Sequence, residues 1–167
     1  MMVALLRSIN LGAGSTVPMA ELREVVTALG HGSVRTYIQS GNVVFDSATE
    51  QPGPALEAAL AARFGFPIPV LVRTAAEMAA IATFPVEDPA HTTVFFLSAA
   101  GTGTLDPMRS PPDTFVQNGR ELYVRYPNGQ GRSKVQLAWV ERGLGVVGTA
   151  RNWRTTQTLA DWANGLG

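Results

Sequence analysis

The order of strand-type and helix-type patterns in the first half of the chain limits the fold more than any other feature. Short apolar runs that are typical of strands lie at 3–9, 34–39, 42–46 and 68–73. Apolar residues recur at helical spacing at 18–29 and 54–64, between these runs. The resulting order, β-α-β-β-α-β, predicts a split-βαβ or ferredoxin-like plait with spatial strand order 4-1-3-2. Pro69 fits this topology, because the fourth strand lies at a sheet edge, where proline is tolerated.

The second half repeats much of this order. A proline-rich polar segment at 85–91 predicts a linker between subdomains at 1–84 and 92–167. A hairpin signal at Asn118-Gly119 follows, and then a helix over 133–142 is expected, opened by a Ser133-Lys134-Val135-Gln136 capping box. No helix pattern appears at 100–113. The predicted fold class is therefore α+β, with two tandem ferredoxin-like subdomains, the second with a degraded first crossover.

Composition excludes several kinds of site. The chain has 167 residues and no cysteine, so disulfides, thiolate metal sites and cysteine nucleophiles are ruled out. Thirteen basic residues balance thirteen acidic ones, so bulk charge does not indicate a polyanion binder. No signal peptide, membrane-length apolar run or metal-ligand spacing is present, and we expect a cytoplasmic protein without membrane association, metal or cofactor.

The strongest candidate site lies where the second predicted sheet ends. Because its third and fourth strands are parallel, the 126–134 loop is expected near the start of the last helix, predicted at 152–164. Cations at helix N-termini cost about 0.3–1 kcal/mol each, so their presence in two first turns suggests a bound anion. The predicted anion-binding residues are Lys134, Arg151, Asn152, Arg154, Arg132, Ser133 and Trp153. The alternative is structural: the arginines pair with Glu141, Asp161 or carbonyls, and Trp153 packs in the core.

A second polar corner is expected where the first strand ends beside the turn at 39–42. Its residues are Arg7, Asn10, Gln39, Ser40 and Asn42. The alternative is that these side chains hydrogen-bond the turn and the neighbouring loop.

Three ordered segments carry a resemblance to a known family. They are Val3 to Gly12 followed by Val17-Pro18-Met19, the run Tyr37 to Phe45, and Arg132-Ser133-Lys134 together with Thr149 to Thr155. The chain resembles a widespread bacterial family of small proteins known only as a domain of unknown function. The resemblance implies two plait-like α+β halves and supplies no activity or catalytic residues. Ser8 departs from it, standing where the family usually has glycine.

Three functions remain open. The preferred hypothesis is binding of a small phosphate-bearing or other anionic ligand, such as a nucleotide, in the second subdomain. A nucleic-acid segment is a weaker version, because the Arg-Gly-aromatic signature of RNA-binding plaits is absent. The alternatives are an enzyme acting on an anionic substrate, whose catalytic residues are unknown, and a homodimeric interaction module without catalysis.

Overall fold

A computed structural model describes residues 1–167. It contains two four-stranded antiparallel sheets and five α-helices. The chain forms two compact units: the first comprises Met1–Ala82 with Thr158–Gly167, and the second comprises Thr83–Gln157. The predicted linker at 85–91 thus lies within the second unit, and the end of the chain belongs with the first. No helix combines the length and hydropathy that crossing a bilayer requires.

The first unit has the strand order expected from its sequence pattern. Its sheet runs β2-β3-β1-β4, and each adjacent pair is antiparallel. Pro69 lies immediately before the edge strand β4. The elements are β1 Met2–Leu6, α1 Met19–Ala28, β2 Gly32–Thr36, β3 Asn42–Asp46, α2 Gly53–Phe64, β4 Val70–Thr74 and α3 Ala75–Ala82.

Helices α1 and α2 cover one face of this sheet. Leu22, Val25 and Val26 of α1 and Leu56 and Leu60 of α2 are buried in the same core as alternate residues of the strands. Full burial of each large aliphatic side chain contributes about 1.5–3 kcal/mol, so this apolar face accounts for the helices' position. Helix α2 ends where its sequence predicts, because the residue after it, a glycine, adopts a left-handed φ of 81°.

The second unit repeats the strand order of the first. Its sheet runs β6-β7-β5-β8, again with antiparallel neighbours. Residues 98–113 contain neither helix nor strand, as the weak sequence pattern at 100–113 indicated. The elements are β5 Thr92–Leu97, β6 Thr114–Asn118, β7 Glu121–Arg125, α4 Leu137–Leu144, β8 Gly148–Asn152 and the start of α5 Trp153–Ala163, whose residues from Thr158 onward belong to the first unit.

The start of α4 differs from the prediction. The helix begins at Leu137, so the predicted start at Ser133 and the capping box there are wrong. The Ser133 hydroxyl accepts the Val135 N–H at 2.9 Å, and the Gln136 amide donates to the carbonyls of Gln130 and Ser133. These bonds hold a turn instead of a helical first turn. The helix end is also later, because Gly145 caps it with φ 69°.

Helix α3 begins with a capping box formed by Thr74 and Glu77. Glu77 N–H donates to the Thr74 hydroxyl at 3.1 Å, and Thr74 N–H donates to the Glu77 carboxylate at 3.3 Å. Two backbone donors at the start of the helix therefore have side-chain acceptors.

We predict that Thr74→Ala lowers the free energy of unfolding by about 1 kcal/mol, because the Glu77 N–H loses its acceptor. Urea unfolding followed by circular dichroism measures the change. Thr27→Ala is the matched control, since Thr27 is exposed on α1 and its hydroxyl makes no hydrogen bond. Equal effects of the two substitutions would show that the box does not stabilise α3.

Asp88 contacts two basic side chains, that of His91 just before β5 and that of Arg125 at the end of β7. Its Oδ2 atom lies 3.0 Å from His91 Nδ1 and 3.4 Å from Arg125 Nε. The hydrogen bond with His91 and, secondarily, the contact with Arg125 lower the pKa of the Asp88 carboxyl from its ordinary value of 3.8. A lowered folded-state pKa stabilises the fold above the unfolded value, and this contribution is lost as pH falls through the folded-state pKa.

We therefore predict that wild type loses stability more steeply than Asp88→Asn as pH falls below about 4. Chemical unfolding at a series of acidic pH values measures the two slopes. Glu50→Gln is the control, because Glu50 is exposed and makes no ion pair. If Asp88→Asn follows the wild-type curve throughout, the Asp88 cluster does not contribute to acid sensitivity.

Candidate functional site

The junction between β8 and α5 contains four of the predicted anion-binding residues. The Asn152 side chain accepts the Thr155 N–H at 2.8 Å, so it caps the helix. Trp153 is 5% exposed, and its ring lies 6.4 Å from that of Tyr123. Arg154 is exposed in the first turn of α5. Helix capping and core packing therefore account for Asn152 and Trp153.

Arg151 is a buried residue of the sheet. Its Nη1 atom donates to the Thr149 hydroxyl at 2.7 Å and to the Ala150 carbonyl at 2.9 Å. Burial lowers the pKa of its guanidinium to about 10, which leaves the group charged at neutral pH. Ala150 packs in the core under α4, and successive strand residues point to opposite faces, so Arg151 points to the other face.

Lys134 is not in the first turn of a helix. It lies before α4, which removes the dipole argument for an anion at this lysine. Its side chain is exposed, while its backbone is held: the N–H donates to the Ser110 hydroxyl at 3.1 Å, and the carbonyl accepts from Arg109 Nε at 3.3 Å. These bonds join the loop before β6 to the loop before α4.

We predict that Asn152→Ala lowers the free energy of unfolding by about 1 kcal/mol and that Asn152→Asp retains wild-type stability, because aspartate also caps helices. Thermal and urea unfolding measure both variants. An anion-binding role predicts that Asn152→Asp loses phosphate binding, since the aspartate charge would repel the anion. A loss of stability in Asn152→Asp as large as that in Asn152→Ala would contradict the capping assignment.

The two joined loops enclose a polar cleft of about 420 Å³ within the second unit. Such a volume is within the range of small-molecule sites. Two of the predicted residues, Arg132 and Ser133, line it, whereas Lys134, Arg151, Asn152, Trp153 and Arg154 do not. The lining residues are Ser110, Pro111, Pro112, Asp113, Asn128, Gly129, Arg132 and Ser133.

Asp113 is the chemically unusual member of the cleft. The residue is 7% exposed, and its carboxylate oxygens reach solvent in the cleft, since no buried side-chain oxygen or nitrogen lacks a hydrogen-bond partner. Burial, and secondarily the Asp113 charge, raise the pKa of Tyr126, whose hydroxyl donates to the Val135 carbonyl at 2.6 Å. Sequence reasoning missed Asp113, because nothing in its local pattern indicates burial.

The other wall of the cleft presents hydrogen-bond donors. Arg132 is exposed, and its guanidinium has no partner within the chain. The backbone N–H groups of Gln130, Gly131 and Arg132, of which only Arg132 lines the cleft, also donate to no acceptor in the protein. Consecutive N–H donors beside a cation are an arrangement suited to a phosphate or carboxylate.

The second polar corner, at the end of β1 and the turn at 39–42, is assembled as the topology predicts. Its amide side chains form hydrogen bonds within the turn and the neighbouring loop. Leu6 N–H donates to the Gly41 carbonyl at 2.9 Å, which confirms that the end of β1 lies beside the turn. The Asn10 amide donates to the carbonyls of Val17 and Gln39, and its oxygen accepts the Val17 N–H.

The Asn42 side chain also forms its hydrogen bonds within the turn. It is fully buried, and its amide donates to the Tyr37 carbonyl and the Ser40 hydroxyl. Gln39 is exposed, and Arg7 reaches the hydroxyl of Ser8, which has a left-handed φ of 56°. Glycine adopts this φ without strain, which gives a physical reason for the glycine expected at position 8. Turn and loop chemistry therefore accounts for the buried amides of this corner.

The structure defines an α+β protein with two antiparallel sheets and a polar cleft, a combination that does not itself imply a reaction. The chain belongs to the family described as "Protein of unknown function (DUF1697)", whose model matches residues 1–123. The loop at 128–133 and the β8–α5 junction follow the matched residues.

A similar solved structure supports the fold. It is that of the conserved bacterial protein SP0830 from Streptococcus pneumoniae, with a TM-score of 0.72 and 22% sequence identity. The match covers 98% of this chain and 97% of that one. A comparison with curated proteins gives no match.

Proposed function

We propose that this is a cytoplasmic protein of two ferredoxin-like halves that binds a small phosphate- or carboxylate-bearing ligand in the cleft of its second unit. The observation that carries this proposal is the donor wall of the cleft. The guanidinium of Arg132, which lines the cleft, has no acceptor within the chain, and neither do the N–H groups of residues 130–132 in the same short loop. An anion of the ligand accepts from this loop.

The charge near the cleft supports the same ligand class. Arg132 and Lys134 lie two residues apart, and neither side chain forms an ion pair with an acidic residue. A guanidinium also offers the planar, bidentate geometry that phosphate and carboxylate groups match. The anion therefore neutralises a cation that the fold itself leaves without a counter-charge.

A small ligand fits the second unit better than an RNA strand does. RNA-binding plaits stack bases on aromatic side chains exposed on the sheet. Here Tyr123 is 5% exposed, and the Phe84 ring stacks on it with centroids 3.9 Å apart. The aromatic face that a base would need is therefore already covered.

We predict that Arg132→Ala weakens binding of inorganic phosphate and mononucleotides by about 10- to 100-fold, corresponding to about 1.5–3 kcal/mol for a charge-assisted hydrogen bond. Isothermal titration calorimetry measures the affinities. Arg142→Ala is the matched control, since Arg142 is exposed in the last turn of α4 and is not part of the cleft wall.

Two results would overturn the proposal. One is absence of phosphate and nucleotide binding by the wild-type protein. The other is an equal loss of affinity in Arg132→Ala and Arg142→Ala. That result would indicate that the ligand is attracted by positive charge in general and not by a defined site.

An enzyme acting on an anionic substrate is the second candidate. Asp113 favours it, because its carboxylate lines the same cleft as Arg132, and carboxylates can act as general bases. Turnover of a bound anion that is abolished by Asp113→Asn, with binding retained, would establish catalysis. Retained turnover in this variant would exclude Asp113 as the base.

A further inference from the structure

Three of the four sheet edges have features that hinder pairing with another strand. A bulge interrupts the register of β2 with β3. The first N–H of β4, at Val70, donates to the Glu57 carboxylate at 2.9 Å. The first N–H of β8, at Gly148, likewise donates to the Glu141 carboxylate at 2.9 Å. Bulges and covered edges are devices by which proteins prevent edge-to-edge association.

The fourth edge, β6, has neither feature. Its five residues, Thr114–Asn118, include no charged residue and no proline, and they pair with β7 in unbroken register. Val116, in the middle of the strand, is apolar and yet 56% exposed. An uncharged and partly apolar edge of this kind is a template for a further strand.

The hydrogen bonds of β7 determine which backbone groups of β6 face outward. Leu97 N–H donates to the Arg120 carbonyl at 2.8 Å, so the even-numbered residues along β7 bond to β5. The odd-numbered residues therefore bond to β6, opposite its even-numbered residues. The N–H and C=O groups of Phe115 and Gln117 consequently point to the open edge, and no other backbone group of the chain bonds to them.

Val116 lies on the same face of the sheet as a partly apolar pocket. It pairs with Tyr123, so both side chains are on one face. The pocket has a volume of about 220 Å³, and its lining includes these two residues and the segment that contains Phe84 and Val86. Apolar surface therefore extends from the open edge into the pocket.

From these observations we propose that two copies of this chain associate through β6, paired antiparallel about a two-fold axis at Val116. In this register, the outward N–H and C=O groups of Phe115 in one copy bond with those of Gln117 in the other. Val116 faces Val116 of the second copy, which covers part of its exposed surface. A two-fold dimer requires one self-complementary surface, and β6 supplies it.

The charges of the chain favour a second copy as the occupant of this edge. The strand has no charge that would select an acidic or basic peptide. The formal net charge of the whole chain is zero, so two copies do not repel each other. The association is independent of the proposed function, because no residue of β6 lines the cleft.

A single cysteine at the axis tests the register, since the chain has no cysteine of its own. Residues of a pair without backbone hydrogen bonds lie about 4.5 Å apart between Cα atoms, which a disulfide can span. Under mild oxidation, we expect Val116→Cys to form a disulfide-linked dimer at least about 10-fold faster than Thr114→Cys. Thr114→Cys is the matched control, because residue 114 faces residue 118 of the second copy and not itself. Non-reducing gels measure both rates.

A charge at the axis tests the strength of the association. We expect sedimentation velocity to show a reversible dimer for wild type, and Val116→Lys to raise its dissociation constant by about 10-fold or more, because two lysines meet. Val147→Lys is the control, since Val147 is 41% exposed and lies outside β6. An equimolar mixture of Val116→Lys and Val116→Glu is expected to restore the dimer, because opposite charges then face each other.

Three results would overturn the proposal. The first is a monomeric wild type at every concentration, which would leave an extended peptide of another protein as the occupant of the edge. The second is equal cross-linking of Val116→Cys and Thr114→Cys. The third is a Val116→Lys dimer as tight as that of wild type, which would assign the association to another surface. Circular dichroism checks the fold of each variant, and the cysteine pair decides the matter if Val116→Lys does not fold.

Discussion

Burial of the central strands on both faces is the constraint on which the rest of the structure depends. Val3 to Leu6 of β1 and all of Thr92–Leu97 in β5 are buried, so neither strand has a solvent-facing side. A polar group in the middle of such a sheet must find its partners inside the protein, because water does not reach it. Polar side chains buried in the sheets, such as Asn42 and Thr149, accordingly have hydrogen-bond partners within the protein.

Two buried arginines occupy equivalent positions in the two sheets. Val3 pairs with Arg73 in the first sheet, and Val94 pairs with Arg151 in the second. Each arginine is buried, and each donates from Nη1 to the carbonyl of the residue before it. A side-chain cap and a helix follow in both units. The correspondence favours a structural role for Arg151, although the sequence alone shows no residue-level repeat.

The cleft contrasts with the sheets because its charged groups are open to solvent and not used by the fold. Arg151 is buried with hydrogen bonds to its own strand, whereas the guanidinium of Arg132 is exposed and has no partner within the chain. This difference, and not the density of arginines along the sequence, distinguishes the cleft from the β8–α5 junction as a candidate site.

The two capping-box patterns show the limit of predicting helix starts from local sequence. Thr74 to Glu77 and Ser133 to Gln136 have the same residue spacing, but only the first forms a box. At the second, the Ser133 hydroxyl and the Gln136 amide bond within the turn, and the Lys134 N–H bonds to Ser110 on a distant loop. The competing partner comes from another part of the chain, so no local pattern could reveal it.

The sequence by itself determined the order of elements, the strand order of the first sheet, the ends of α1 and α2 and the meeting of the β1 loop with the turn at 39–42. Hydrophobic periodicity and glycine stops act over a few residues, so they can be read locally. Only the tertiary structure decided the start of α4, the burial of Arg151 and the placement of Asp113 in the same cleft as Arg132. Burial and hydrogen-bond satisfaction depend on residues that are far apart in the chain, and they become defined only when those residues meet.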